Sequence, residues 1–361
     1  MSPDSHQAVW LAGPTAVGKS AVALVLAEQL GGEIISVDSM QVYRGLDLGT
    51  AKPSPADRTR VRHHLIDVVE AHEAFDVAQF VRLAQAAAAG VTGRGRVPVF
   101  CGGTGLYFKA LRSGLGTAPA GDPALRAELE ALPLGVLRDE RAARDPVAFA
   151  RIDRRNPRRV VRAVEVIRLT GQPFSAQRAD WSVAPASGHP QRAAPVFGFT
   201  RPPDDLRARI AARVDAMFAG GLVAETERLL ARGLAQNRTA AQALGYRQVV
   251  EHLRGERGLA DTIALVKQRT WQFARRQMTW FRRQLEVTWI ELTPESAPGR
   301  SRTRSSRGER PRRWLRRGAT ATRVPGVSVC PRFESTLLDR PESTHRTGYS
   351  RRRGIEIAHR L

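Results

Sequence analysis

The sequence predicts an α/β protein: a parallel sheet covered by helices, with a helical insertion. Three features carry that prediction. From Ala8 to about Gly116, short apolar runs alternate with helix-forming stretches, the rhythm of strand–helix–strand units that build a parallel sheet covered on both faces. The first apolar run leads directly into Gly13-Pro14-Thr15-Ala16-Val17-Gly18-Lys19-Ser20. This is a G-x-x-x-x-G-K-[ST] phosphate loop in its proper place between strand and helix, and it makes the predicted fold P-loop NTPase-like. Residues 117–194 break the alternation with Arg- and Ala-rich helical sequence, and the sheet pattern resumes at Val196.

Taken in order, Ala8–Ala12 is the first strand. Ser20–Leu30, rich in Ala, Leu and Val, reads as a helix that Gly31-Gly32 ends. Glu33–Val37 is a strand that delivers Asp38 at its C-terminal end. A helix over Phe75–Ala89 precedes the buried strand Val97–Cys101, which runs into Gly102-Gly103. Ligands of parallel sheets lie beyond the C-terminal strand ends, where Asp38 and the Gly102 loop both fall. Helices over Pro123–Ala131, Pro146–Ile152 and Arg158–Leu169 make up the insertion. The strand Val196–Thr200 is followed by helices near Asp204–Ala219 and Val223–Arg232, then by a long one from Ala260 to Arg283. On that helix Ile263, Val266, Thr270, Phe273, Gln277 and Trp280 follow a three–four spacing and predict its buried stripe. Val287–Leu292 is the last strand. The expected organisation is a catalytic core over 1–116 and 195–292, split by the insertion at 117–194. From 293 to 361, Arg, Ser, Thr, Pro and Gly dominate, and this tail is expected to be disordered for want of apolar surface to bury.

Hydrophobic residues make up 42% of the 361, enough for a packed core. No run of about 18 apolar residues occurs, and Met1-Ser2-Pro3-Asp4 does not begin a signal peptide. A soluble, cytoplasmic protein with no membrane contact is therefore expected. Cys101 and Cys330, the two cysteines, supply neither a disulfide framework nor a zinc site. The formal charge is +22 and almost all of the basic residues are arginine, because lysine occurs only at Lys19, Lys52, Lys109 and Lys267. Seventeen arginines and six acidic residues follow Leu292, so half of the net charge lies in the tail. The half on the body still favours a polyanionic partner, through neutralised phosphates and released counterions.

In the phosphate loop the glycines let backbone N–H groups curl around phosphate oxygens, and the helix N-terminus adds its positive end. Lys19 supplies a charged donor, and the Ser20 hydroxyl is the candidate ligand for Mg²⁺. The loop specifies a phosphorylated ligand without specifying a reaction. Enzymes that split ATP with this loop commonly hold the metal shell with an acid at the end of another strand. Here Val97–Cys101 ends instead in Gly102-Gly103-Thr104-Gly105. The acid stands at Asp38, within Ser36-Val37-Asp38-Ser39-Met40-Gln41, and opposite a phosphate loop it is a candidate general base or metal-shell group.

Seven segments in order resemble the tRNA dimethylallyltransferase family, the isopentenyl transferases that act on the adenine immediately 3′ of the anticodon. They are the phosphate loop, SVDSMQVYRGLDLGTAKP at 36–53, HHLIDV at 63–68, GGTGLYFKAL at 102–111, NPRRVVRAVEV at 156–166, ALGYRQ at 243–248 and RRQMTWFR at 275–282. The resemblance covers about residues 8–292. It implies transfer of a dimethylallyl group from dimethylallyl diphosphate to adenine N6 of tRNA. The loop from Gly13 to Ser20, with Mg²⁺, would then hold a diphosphate leaving group rather than ATP. It further implies Asp38 as acceptor of the amino proton, Thr104 at the bridging or leaving oxygen, and Arg213 on the diphosphate, with Arg209 one helical turn away as the competing assignment. The adenine would leave the anticodon stack for a channel lined by Asp38, Ser39, Met40, Gln41 and Thr104. Arg126, Arg158, Arg159, Val160, Val161 and Arg162 would contact the tRNA anticodon stem-loop. The family is mostly monomeric, which implies a monomer. Its eukaryotic members carry a C-terminal zinc finger, which Cys330 and His345 alone cannot form, so the bacterial type fits better.

Two other enzymes would use the same loop. An adenylate isopentenyltransferase acting on free AMP, ADP or ATP would not require the insertion with Arg158–Arg162. A small-molecule kinase is disfavoured by GGTGLY and the absent second acid. A non-catalytic RNA-binding module would not need Lys19 and Asp38 facing one pocket. His63-His64 read as packing or loop-ordering residues, Cys101 as a small apolar group, and Trp271, Trp280 and Phe281 as mostly core.

Overall fold

The computed structural model describes residues 8–151, 156–179 and 194–293, within a compact unit that ends at Leu292. The expectation for the Arg-rich tail lies outside the described residues beyond Thr293. The described strands are β1 (Val9–Ala12), β2 (Glu33–Val37), β3 (His63–His64), β4 (Pro98–Gly102), β5 (Val196–Thr200) and β6 (Thr288–Glu291). They form one parallel sheet in the order β3-β2-β4-β1-β5-β6. β1, β2 and β4 are buried along their whole length, as strands covered on both faces must be. Trp10 of β1 stacks on Phe100 of β4 with centroids 4.0 Å apart. Gly102 pairs with Ala12 on one side and with Val37 on the other. The C-terminal ends of three adjacent strands are thereby level, and the segments that follow them emerge at one edge of the sheet.

The first half carries helices α1 (Lys19–Leu30), α2 (Pro55–Arg60), α3 (Val77–Gly93) and α4 (Gly105–Ser113). α3 starts at Val77 because Asp76 and Gln79 cap it reciprocally. It runs past Ala89 because Val91 continues its buried stripe. The glycines of 102–105 read as loop, yet α4 begins at once, anchored by the buried Tyr107, Phe108 and Leu111. β3, an edge strand not anticipated, is formed by His63-His64 pairing with Ile34 and Ile35. His63 Nδ1 lies 2.7 Å from the Val61 carbonyl, and His64 Nε2 lies 2.6 Å from the Glu33 carboxylate. These are the packing and ordering roles expected.

Between α4 and β5 the chain forms α5 (Pro123–Ala131), α6 (Leu134–Arg144), α7 (Pro146–Arg151), α8 (Pro157–Thr170) and α9 (Phe174–Gln177). α6 escaped prediction because five of its eleven residues are charged and only Leu137 and Arg141 are buried, which leaves no apolar stripe to read. Leu129, Leu137, Val160, Val161 and Val164 build a separate small core here. Val160 and Val161, expected among the RNA contacts, are thus corrected to core residues. In RRVVR each residue advances about 100° around the helix, so Arg158 and Arg159 face outward while the two valines turn inward. Arg126 and Arg162 both pair with the fully buried Glu165 carboxylate, at 2.6 and 2.7 Å, and Arg162 also donates to the Pro119 carbonyl.

The last part supplies α10 (Pro203–Ala219), α11 (Leu222–Ala231), α12 (Tyr246–Leu253) and α13 (Leu259–Gln284). α13 packs against α4, α10 and α12. Its buried stripe is Thr262, Val266, Thr270, Ala274, Gln277 and Phe281. The predicted stripe slips at Phe273, which is 39% exposed, and at Ile263 and Trp280, which are only partly covered. Small and polar residues do much of the packing here, so hydrophobicity alone gives the wrong phase.

Glu165→Ala removes the acid that two partly exposed arginines share and lowers the stability of the protein by about 2 kcal/mol, the scale of a charge-assisted hydrogen bond, read as a shifted midpoint in urea unfolding. Arg158→Ala, on the outer face of the same helix, leaves the midpoint unchanged.

Candidate active site

β1 delivers the phosphate loop and α1 closes it. Gly18 adopts φ 109° at the N-cap of α1, a conformation that disfavours a side chain, and Ala16 is held at φ 64°. Two arginines fix the loop from outside. Arg209 Nε donates to the Ala16 carbonyl at 3.0 Å, and Arg201 Nε donates to the Val17 carbonyl at 2.7 Å. In a trans peptide the N–H points opposite to the C=O, so these bonds turn the amides of Val17 and Gly18 away from the arginines and into the loop. Lys19 Nζ donates to the Pro14 carbonyl at 3.2 Å. A cavity of about 410 Å³ is lined by Gly18, Lys19, Ser20, Arg209 and Arg213, among others. Arg209 and Arg213 therefore both reach the pocket, Arg209 with one nitrogen committed to the loop.

Burial, reinforced by Arg213, lowers the Lys19 ammonium pKa, against the opposing effects of Cys101 and Asp38. Arg213 is also lowered by burial and opposed by Asp38. Asp38 is thus within electrostatic reach of both cations. Its Oδ1 accepts from the N–H groups of Met40 at 2.8 Å and Gln41 at 3.3 Å, which fixes the carboxylate at the end of β2. Among the described residues Oδ2 takes no hydrogen bond.

Thr104 occupies the N-cap of α4 but does not cap it with its side chain. Its hydroxyl accepts instead from the Ser39 N–H at 3.1 Å and lies 3.4 Å from the Ser39 hydroxyl. Its own N–H donates to the Val37 carbonyl. Asp38, Ser39 and Thr104 therefore meet beside the phosphate loop. Met40 packs against the core. Gln41 is held by Ser36 at 2.8 Å and donates to the Thr50 carbonyl at 3.2 Å. Cys101 is buried behind the loop, and burial raises its thiol pKa to about 11, in keeping with a packing role.

Several residues that hold the site had no part in it assigned from the sequence, where Gln277 was expected only in the buried stripe of α13. Gln277 Oε1 accepts from the Thr15 N–H at 2.9 Å, and Gln277 Nε2 donates to the Gly103 carbonyl at 2.9 Å. Lys52, whose side chain is 2% exposed, binds Asp47 and Asp67 at 2.8 and 2.6 Å. Glu225 accepts from the N–H groups of Asp47 and Leu48. Tyr246 donates to Glu225 at 2.5 Å and accepts from the Gly49 N–H at 3.1 Å. These bonds link GLDLGTAKP to ALGYRQ, a connection that no local spacing rule reports. Arg158 and Arg159 stand exposed on α8 in the insertion, outside the residues lining the phosphate pocket.

No group of three His, Cys, Asp or Glu arranged for a metal occurs among the described residues. Mg²⁺ on a diphosphate needs only one or two protein oxygens and keeps several waters. The exposed Ser20 hydroxyl at the pocket wall suits that demand.

The ammonium of Lys19 is lost at lower pH than that of an exposed lysine, so affinity for inorganic diphosphate carries an alkaline decline that begins below the usual lysine range. Calorimetric titration at a series of pH values checks this, and Lys19→Met flattens the decline.

The IPP transferase family model matches residues 41–284. The chain is 46% identical over 283 residues to a tRNA dimethylallyltransferase of Geobacter metallireducens, covering 77% of this chain and 90% of the relative. It is 48% identical over 282 residues to one of Halorhodospira halophila, covering 76% and 89%. The solved tRNA isopentenylpyrophosphate transferase of Bacillus halodurans is similar at 38% identity and a TM-score of 0.58, covering 80% of this chain and 90% of that one. A eukaryotic dimethylallyltransferase solved acting on tRNA shares the fold, with a TM-score of 0.65 at 23% identity over 80% and 74% of the two chains. The parallel sheet, its phosphate loop and these likenesses together place the chain in the IPP transferase family, as a transferase.

Proposed function

We propose that the chain transfers a dimethylallyl group from dimethylallyl diphosphate to N6 of the adenine 3′-adjacent to the anticodon in tRNA, releasing diphosphate. One observation carries this reading most. A phosphate loop ringed by Lys19, Arg209 and Arg213 has Asp38 within electrostatic reach of Lys19 and Arg213, with Thr104 bonded to the neighbouring Ser39, while β4 runs into Gly102-Gly103-Thr104 instead of a metal-shell acid. That arrangement suits loss of a whole diphosphate better than phosphoryl transfer. Relatives named tRNA dimethylallyltransferase support tRNA as acceptor over a free nucleotide, as does the insertion with its exposed Arg158 and Arg159. Arg126 and Arg162 serve the same surface by anchoring α8 through Glu165.

In the proposed reaction the N6 lone pair forms a C–N bond to the allylic carbon while the C–O bond breaks, its electron pair leaving with the diphosphate. Lys19, Arg213 and the loop amides neutralise the charge that grows on the departing oxygens. The Thr104 hydroxyl, oriented by Ser39, donates to the leaving oxygen. Asp38 accepts the N6 proton. Ser20 would hold Mg²⁺, which supplies further positive charge to the diphosphate when bound. No helix among the described residues is long and apolar enough to cross a membrane, and the chain is proposed to act as a cytoplasmic monomer.

Incubation with labelled dimethylallyl diphosphate, Mg²⁺ and either unmodified tRNA or AMP, ADP or ATP tests the acceptor. Label enters tRNA adenine; label in free nucleotide and never in tRNA overturns the proposal. Asp38→Ala lowers transfer by about 10³-fold while diphosphate affinity is retained. Loss of diphosphate binding in that variant would place Asp38 in the metal shell.

A further inference from the structure

Thr15 lies on the phosphate loop and Gly103 precedes Thr104, so a side chain that binds both ties the loop assigned to the leaving group to the turn assigned to the reacting oxygen. Gln277 does this with a single planar amide, accepting from the Thr15 N–H and donating to the Gly103 carbonyl, each at 2.9 Å. The side chain is buried, with the residue 8% exposed, so both bonds lie where an unmade one is costly. The turn is shaped around it: a Cβ on Gly103 would collide with the Gln277 amide, and a Cβ on Gly105 would collide with the Trp280 ring one turn further along α13. α13 therefore presses on the Gly103–Gly105 turn at two points while its packing on α4, α10 and α12 fixes its own place.

We infer that Gln277 is a positioning residue that locks the phosphate loop to the Thr104 turn and so sets the separation between the diphosphate cradle and the attacking amine. The inference rests on the prenyl-transfer proposal above. The requirement is specific for a neutral group carrying both a donor and an acceptor. Methionine keeps the length and loses both bonds. An ionised glutamate keeps the acceptor for Thr15 and turns a second oxygen against the Gly103 carbonyl, whereas a protonated glutamate restores both bonds. Charged groups on the surrounding elements include Lys19 on the loop, Asp38 beyond Thr104, Arg275 and Arg276 on α13 itself, and, on the helices packed against it, Lys109 and Arg112 of α4, Arg207, Arg209, Arg213 and Asp215 of α10, and Arg247, Glu251 and His252 of α12.

The test compares the wild type, Gln277→Met and Gln277→Glu, each checked for native circular dichroism, in inorganic diphosphate binding and in transfer at saturating substrates. Gln277→Met binds diphosphate roughly tenfold more weakly and transfers about 10²-fold more slowly, because misplacement by about an ångström has that effect on rate. Gln277→Glu matches it at pH 8, and its rate relative to wild type rises about fivefold or more on going to pH 6, as the side chain takes up a proton. A merely structural glutamine would give no such recovery. Gln277→Met within about twofold of wild type in diphosphate binding, or a Gln277→Glu ratio flat across pH, overturns the inference. Diphosphate binding reads the clasp without any transfer, so a wild type that binds diphosphate but never modifies tRNA contradicts the proposed reaction and still leaves the clasp decided by binding.

Discussion

The pairing of β4 between β1 and β2 is the constraint on which the site depends. Ala12, Gly102 and Val37 lie side by side across three strands, with Val37 the partner of Gly102, and residues 13–20, 38–41 and 102–105 emerge together although they are far apart in the chain. The Trp10–Phe100 stack holds β1 and β4 in that register. Everything chemical follows from what each strand end then offers: a loop of amides, a carboxylate fixed by its own turn, and a threonine diverted from capping its helix to bind Ser39. The second half of the core completes the site, with Arg201 and Arg209 on the loop carbonyls, Arg213 in the pocket wall and Gln277 joining the phosphate loop to the Gly103 turn.

Features that depend on local chemistry were legible in the sequence. The phosphate loop and the acid at the end of β2 could be named because each is a short pattern whose backbone and side chains explain one another, whereas Thr104 was singled out only through the family resemblance. α5 and β5 fall where their capping and apolar runs put them. The partnerships that set the geometry were not legible. Gln277 with Gly103, Tyr246 with Gly49 and Arg209 with Ala16 join residues more than 170 positions apart, and no periodicity links them. Val160 and Val161 were misplaced because a basic run draws attention to its surface, whereas helical rotation puts two of its five residues inside.

The charge on the body resolves into distinct uses. Arg126 and Arg162 serve a buried acid, Arg201 and Arg209 hold a loop, and Arg213 lines the cavity beside the phosphate loop. Arg158 and Arg159, with Arg275, Arg276, Arg282 and Arg283 on α13, remain on the surface. A net positive charge therefore overstates the surface offered to a polyanion, since part of it neutralises buried carboxylates or stabilises backbone carbonyls.

The central claim is that the phosphate loop holds a departing diphosphate rather than a transferring phosphoryl group. Phosphorus NMR of the working enzyme with dimethylallyl diphosphate and unmodified tRNA tests it most directly. The account predicts one inorganic diphosphate released for each prenyl group gained by the tRNA, with its P–O–P bridge intact. Orthophosphate, or a phosphorylated acceptor in place of free diphosphate, would contradict it.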